Sequence, residues 1–189
     1  MTGVQTCALP IYLKVAKVLG FERGVLVQPS FHRGNMAIME DALAKSEGRL
    51  RGMVVAEETF LDTDVKALHR AGIRGVRIEL RAPGTFDTAI VERQVAHAAK
   101  AGWVVALHLY PGTIISLADF IRRMPGPTVI ENYAQIEAFK GLDQEPLRAL
   151  LDLAREPQIW LKTASAYRML RRGSTYEQVV ALEIGRAHV

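Results

Sequence analysis

The stretch Gly72 to Pro83, GIRGVRIELRAP, decides how this chain is read. It reads as a strand started by glycine, in which Val76, Ile78 and Leu80 alternate with Arg77, Glu79 and Arg81. Successive side chains of a strand point to opposite faces, so one face is aliphatic and the other carries two guanidiniums and a carboxylate. Helical patterns lie on both sides of it. That places it in a parallel sheet, where both faces are normally covered. Charges toward the C-terminal end of such a strand stand where α/β proteins bind ligands. The competing reading is a solvated edge strand carrying a ladder of salt bridges.

Working outward, strands and helical patterns alternate along the whole chain. A helix end at Tyr12 to Leu19, closed by Gly20, precedes a strand at Gly24 to Gln28 and the loop Pro29 to Gly34. Asn35 is placed to cap a helix running to about Lys45, with Met36, Met39 and Leu43 as its apolar stripe. A second strand, Gly52 to Ala56, leads to a helix over Thr63 to Ala71 capped by Asp62. After the opening stretch come a helix from Thr88 to Ala101 ended by Gly102, a strand at Trp103 to His108, and a helix at Ile114 to Arg123. A strand at Thr128 to Asn132, a helix at Glu145 to Arg155, a strand at Ile159 to Lys162 and a helix from Thr175 to about Glu183 complete the pattern.

Six strands at intervals of roughly 27 residues, each followed by a helix, read as βαβ units. An open nucleotide-binding sheet would carry G-x-G-x-x-G or G-x-x-x-x-G-K-[ST], and neither occurs. Eight such units would make a (β/α)₈ barrel of ordinary size, about 250 residues. The expected fold is therefore α/β, an incomplete TIM-type barrel of six parallel strands with outer helices.

Composition bounds the function. The chain has 189 residues, 49% hydrophobic and 23% charged, with a formal net charge of +4. This is the composition of a globular domain with a sizeable core. Basic residues are scattered and not interleaved with aromatics, so nucleic-acid binding is not expected. No apolar run approaches the roughly 18 residues of a membrane span, and no signal-peptide pattern is present. The single cysteine, Cys7, excludes an internal disulfide and a cysteine-rich metal site. These features point to a cytoplasmic enzyme acting on a small molecule, with homo-oligomerisation left open. Residues 1–11 and 183–189 lack the periodicity of their surroundings and read as non-native, adapter-like tails flanking a partial domain at 12–182.

From Leu13 to Leu182 the chain resembles the amidohydrolase-2 branch of the metal-dependent hydrolases, a branch that includes lactonases of carboxylated pyrones. The resemblance is carried by LGFERGVLVQPSFHRGNMAIMEDAL (Leu19 to Leu43), RGMVVAEETFLDTDVKALHRAGIRGVRIEL (Arg51 to Leu80), PTVIENYAQIE (Pro127 to Glu137) and IWLKTASAYRM (Ile159 to Met169). It implies a barrel whose second to seventh strands are those present here. The implied reaction is attack of an activated water on a carboxylated lactone or related ester. A decarboxylase of the same superfamily and a non-catalytic ligand-binding barrel are the alternatives. The family's His-x-His pair and catalytic Asp would lie on the first and eighth barrel strands, and neither is in this chain. On that reading the 189-residue chain by itself has no lactonase activity. The resemblance also implies a divalent metal such as zinc in a full-length parent; the residues here assign no metal ligand set.

Candidate site residues follow from both lines. His108 ends a strand, where an imidazole serves as general base or metal ligand, or as a hydrogen-bonded core residue. Asn132 stands where the resemblance places a histidine after an aspartate, the pair here being Glu131-Asn132. An amide is a poor metal ligand and no base near pH 7, so either the base or metal ligand lies elsewhere or the chemistry has changed, and Asn132 is kept with His108 as a catalytic candidate. Arg77, Arg81, Tyr110 and Lys162 are strand-end candidates for substrate. Ser30, His32 and Asn35 are candidates in the loop after the first strand. Ser165, Tyr167 and Arg168 match the family segment after its seventh strand, which contacts substrate. Glu57 and Glu58 read as a solvated loop. No G-x-S-x-G elbow supports a serine hydrolase.

Overall fold

The computed structural model of the chain describes residues 8–32, 35–171 and 175–180. Twelve regular elements alternate through them. Helix α1 (Ala8–Val18) precedes β1 (Gly24–Val27), α2 (Ala37–Ala44), β2 (Leu50–Val55), α3 (Val65–Arg70) and β3 (Ile73–Leu80). Then come α4 (Thr88–Ala99), β4 (Val104–Leu109), α5 (Pro111–Arg122), β5 (Thr128–Glu131), α6 (Glu145–Leu153) and β6 (Ile159–Lys162). The six strands form one sheet in the order β1-β2-β3-β4-β5-β6. The order never reverses, as an open doubly wound sheet would require. The fold is that of an incomplete TIM-type barrel. No helix among the described residues is long and apolar enough to cross a membrane.

The chain divides into two compact units, Met1–Gly75 and Val76–Val189. In the first, β1 pairs in parallel with β2, from Gly24↔Leu50 to Val27↔Met53. Met39, Leu43, Leu50, Met53 and Ile73 are buried in it. Gly52 sits where α2 and β3 close on β2: a Cβ there would lie 2.4 Å from Ile73 Cδ1 and 2.8 Å from Met39 Sδ. The caps differ from expectation by a residue or two. Asp64, not Asp62, caps α3, its carboxylate accepting from Lys66 N at 2.9 Å. Residues Glu58–Asp62 form a 3-10 turn that leaves Asp62 too early to cap. Asn35 accepts from Ala37 N at 3.1 Å, but Met36 is the residue at the cap position.

In the second unit β4 pairs in parallel with β5, and β5 with β6 through Glu131↔Lys162. Asp87 caps α4, its side chain accepting from Ala89 N and Ile90 N. Pro111 opens α5, a position that needs no amide donor. Helices α5 and α6 are joined by Arg122, which bonds Asp119, Asp152 and Glu156. On β3 the expected alternation holds: Val76, Ile78 and Leu80 are buried, while Arg77 and Glu79 take the opposite face. The helix expected from Thr175 is present at 177–180; its remainder lies outside the described residues.

Gly52→Ala is expected to lower unfolding stability by about 1–3 kcal/mol, the usual cost of overpacking. Urea denaturation followed by circular dichroism measures it. An unchanged midpoint would show that Ile73 and Met39 repack freely.

Candidate active site

Three side chains, Arg77 of β3 and the residues that approach the ends of β4 and β6, His108 and Lys162, converge on one carboxylate at the end of β5. Glu131, the last residue of β5, is 4% exposed at its side chain. Its Oε2 accepts from Arg77 Nε of β3 at 2.7 Å. The same oxygen lies 3.5 Å from His108 Nδ1 of β4. Its Oε1 accepts from Lys162 Nζ of β6 at 3.2 Å. In-register parallel pairing explains the meeting. Glu131 is the direct partner of Lys162, and Ile130 that of Leu107, so His108, Glu131 and Lys162 form one row across three neighbouring strands.

The row extends along β3. Arg77 Nη1 also donates to Glu79 Oε1 at 2.5 Å, and Arg81 Nη2 reaches Glu79 Oε2 at 3.5 Å. The ladder therefore runs Arg81, Glu79, Arg77, Glu131, Lys162, with charges alternating in sign. Glu79 and Arg77 are 7% and 12% exposed at their side chains. The ladder expected from a solvated edge strand is thus present, but on a covered strand that lies between β2 and β4. Only its ends open to solvent, Lys162 at 43% and Arg81 at 63%.

This placement sets the charge states. Burial pushes the Glu131 carboxyl up, but the approach of His108 and Arg77 and the charge of Lys162 outweigh it and hold it at about 2. Burial likewise lowers Arg77, and bonding to Glu131 and Glu79 more than restores it, so its pKa is raised. Both partners are fixed in their ionised forms.

Tyr110 follows β4 and sets its ring edge-on to His108, with centroids 5.6 Å apart. His108 is buried, and its Nδ1 has no partner closer than Glu131 among the described residues. Asn132 follows Glu131 directly and is buried. It begins a run without precedent in the sequence pattern: Asn132, Tyr133, Ala134 and Gln135 all have φ between 51° and 56°. Four successive non-glycine residues in the left-handed region cost roughly 1–2 kcal/mol each. Gln135 Nε2, also buried, has no hydrogen-bond partner among the described residues.

The other candidates stand in two further groups. Ser165, at φ 61°, opens the turn Ala166–Met169 that carries Tyr167 and Arg168. Arg168 Nε donates to the Tyr167 hydroxyl at 3.4 Å and lies 5.9 Å over its ring. The guanidinium lowers the pKa of this exposed phenol. In the first unit, Ser30 and His32 form a 3-10 turn and the His32 ring packs on Phe31. That loop is tied by Gln28, whose Nε2 donates to His32 O and Asn35 O while its Oε1 accepts from Val55 N.

Sequence reasoning missed Glu131 as the centre and Gln28 as the loop anchor, whereas Glu79 was within the ladder of salt bridges that the competing reading of β3 foresaw. Glu131 and Lys162 both end strands, and in-register pairing alone would have brought them together. A zinc site takes three protein ligands. Among the described residues no three His, Cys, Asp or Glu side chains form a metal-holding group. Arg77 already engages Glu131, the carboxylate beside His108, so these residues alone do not fit such a centre.

Comparison with known proteins bears on what the row does. The family model described as Amidohydrolase matches residues 3–184. The 4-sulfomuconolactone hydrolase of Hydrogenophaga intermedia is 33% identical over 174 residues, covering 90% of this chain and 57% of that protein. The 2-pyrone-4,6-dicarbaxylate hydrolase of Comamonas testosteroni is 30% identical over 154 residues, covering 80% of this chain and 50% of that protein. The chain thus spans little more than half the length of these curated relatives. A solved structure from Acinetobacter baumannii, assigned as a 2-pyrone-4,6-dicarboxylic acid hydrolase and holding citric acid, superposes with a TM-score of 0.77 at 25% identity. That match covers 93% of this chain and 66% of the other.

Two outcomes follow from the ladder. Arg77→Met removes the buried cation shared by Glu79 and Glu131, leaving them only the outer Arg81 and Lys162, and is expected to cost about 3–5 kcal/mol in equilibrium unfolding. A loss under 1 kcal/mol would show that the carboxylates find other partners. Glu131 has a folded-state pKa of about 2 against an ordinary 4.5. Its contribution, about 3 kcal/mol, is therefore complete above pH 4.5 and lost as pH falls toward 2. The stability difference between wild type and Glu131→Gln, measured across that window, should shrink with acidification. A constant difference would contradict the depressed pKa.

Proposed function

The chain belongs to the amidohydrolase family, and on that premise we propose that a full-length parent carrying these residues hydrolyses a carboxylated lactone or closely related ester, the 189 residues by themselves being expected to lack that activity. The observation that carries the reading is the row at the strand ends. A buried imidazole, His108, stands beside Glu131, and the same carboxylate holds a half-exposed ammonium, Lys162. The relatives are named for a sulfomuconolactone and a pyrone dicarboxylate, and the Acinetobacter neighbour holds citric acid. Anionic rings and carboxylates suit a site with cations at its open end.

The reaction assigned to these residues runs in two steps. His108 takes a proton from water as the water oxygen bonds to the lactone carbonyl carbon, whose π electrons move to the carbonyl oxygen. Collapse of the tetrahedral intermediate breaks the ring C–O bond, and His108 returns its proton to the leaving alkoxide. Lys162 and Arg81, the exposed ends of the ladder, meet the carboxylate of the substrate. Arg77 is held behind them by two carboxylates of the chain itself. Its contribution is to keep that row in place and to add positive potential below the substrate. Tyr110 walls His108 from one side, and Asn132 offers an amide at the end of β5. The candidates Ser165, Tyr167 and Arg168, and separately Ser30, His32 and Asn35, are assigned to substrate contact on their loops.

Ring opening of a lactone at neutral pH releases one proton, so a pH-stat assay of a full-length parent carrying these residues, with 2-pyrone-4,6-dicarboxylate and with a sulfonated muconolactone, tests the reading. His108→Ala should lower kcat by about 10²–10⁴-fold, the range for a lost general base. Lys162→Met should raise KM by about 10- to 100-fold, the equivalent of one charge-assisted hydrogen bond. Release of carbon dioxide with the ring intact would assign a decarboxylase instead. Unchanged kcat in His108→Ala would remove the histidine from the mechanism.

A further inference from the structure

We propose that Glu131 is the positioning residue of this site: it fixes His108 as the tautomer protonated at Nδ1, leaving Nε2 bare as the proton acceptor. The inference rests on the hydrolase reading for its use, but not for its geometry.

The first step is the register. β4, β5 and β6 pair in parallel, and Glu131 falls between His108 and Lys162 in one row. A neutral imidazole carries its proton on one nitrogen and a lone pair on the other. If Nδ1 of His108 were bare, its lone pair would face Glu131 Oε2 at 3.5 Å, two acceptors opposed in a buried setting. If Nδ1 carries the proton, the same separation becomes an attraction. Burial sharpens the choice, since both side chains are about 95% covered and little water screens them. Nδ1 makes no hydrogen bond among the described residues, so the 3.5 Å approach of Glu131 acts on it as an electrostatic preference.

The second step is that the carboxylate is itself immobilised. Arg77 Nε holds Oε2 at 2.7 Å and Lys162 Nζ holds Oε1 at 3.2 Å. Its charge is secure well below neutral pH. Rotation that brought Glu131 away from His108 would break the bond to Arg77, whose Nη1 is committed to Glu79. Arg77 thus acts on His108 through Glu131, and the edge of Tyr110 limits the tilt of the ring. One carboxylate sets both the tautomer of the base and the resting place of the ammonium that meets substrate.

The test is a long-range proton–nitrogen correlation spectrum of the ¹⁵N-labelled 189-residue protein, taken at about pH 8, where an ordinary histidine is neutral. The His108 signals are assigned by their loss in His108→Gln. The expected result is a protonated Nδ1 and a bare Nε2. A protonated Nε2 in the wild-type protein would overturn the proposal without any variant. In Glu131→Met the tautomer should change to protonated Nε2. In Glu131→Gln the amide oxygen can still serve Arg77 and His108, so the Nδ1–H tautomer should be retained. Persistence of Nδ1–H in a folded Glu131→Met protein would also overturn it. In the hydrolysis assay of a full-length parent the tautomer change should appear as a fall in kcat of about 10²-fold or more. The Nδ1–H tautomer in a full-length parent that hydrolyses no lactone would sink the functional reading and leave the positioning role standing.

Discussion

The second unit is organised by the burial of one guanidinium. Arg77 is drawn nearly out of water on the charged face of β3. Such burial is tolerable only if its charge and donors are met by fixed partners. Glu79 supplies one from the same strand, two residues on, where the pleat returns to the same face. Glu131 supplies the other from β5, 54 residues away. Once Arg77 is placed, Glu131 must stay ionised, and its remaining lone pairs must find donors. Lys162 and His108 are the groups that in-register pairing delivers. The site is therefore less a set of independent ligands than one chain of compensated charges.

This changes how cations divide their work. An arginine on the inner face of a barrel strand invites the reading that its fork awaits a substrate carboxylate. Here two nitrogens of that fork are already bonded to carboxylates of the chain. An anion that took the Nε or Nη1 donors of Arg77 would have to displace Glu131 or Glu79, both buried, which costs more than the exchange returns. The ladder's ends pay no such penalty, because Lys162 and Arg81 are partly hydrated and each has donors to spare. The flexible cations thus stand at the open ends of the ladder, while the rigid cation is held between two carboxylates of the chain.

The fold was largely legible because it depends on local alternation. The period-two pattern of β3, the bounds of β6 and the strand order came directly from residues and spacing. Caps were less so: Asp62 and Asp64 are both capping residues, and only the turn over Glu58–Asp62 decides between them. Individual site residues such as His108 and Lys162 were visible at strand ends. Their joint dependence on Glu131 was not, because it is a matter of register between strands more than 20 residues apart. Nothing in the letters Asn-Tyr-Ala-Gln announced a left-handed run, since none of these residues is glycine and only surrounding packing can hold them there.

That run has a physical consequence for the row before it. A strand continued through Asn132 would turn the next side chain to the opposite face and carry the backbone beyond the sheet. Reversal to positive φ at Asn132 instead ends β5 at Glu131. Asparagine enters the left-handed region more readily than most residues, whereas tyrosine and alanine enter it at a cost. Tyr133 and Ala134 are buried, so the cost is met by packing that a relaxed turn would forfeit. Strained backbone of this kind persists only where its surroundings over-determine it. Here the residue it immobilises is the neighbour of the carboxylate on which Arg77, His108 and Lys162 converge. A mobile β5 terminus would let Glu131 follow solvent or Lys162 outward. Ending the strand in a buried, constrained turn keeps the carboxylate where three other strands can use it.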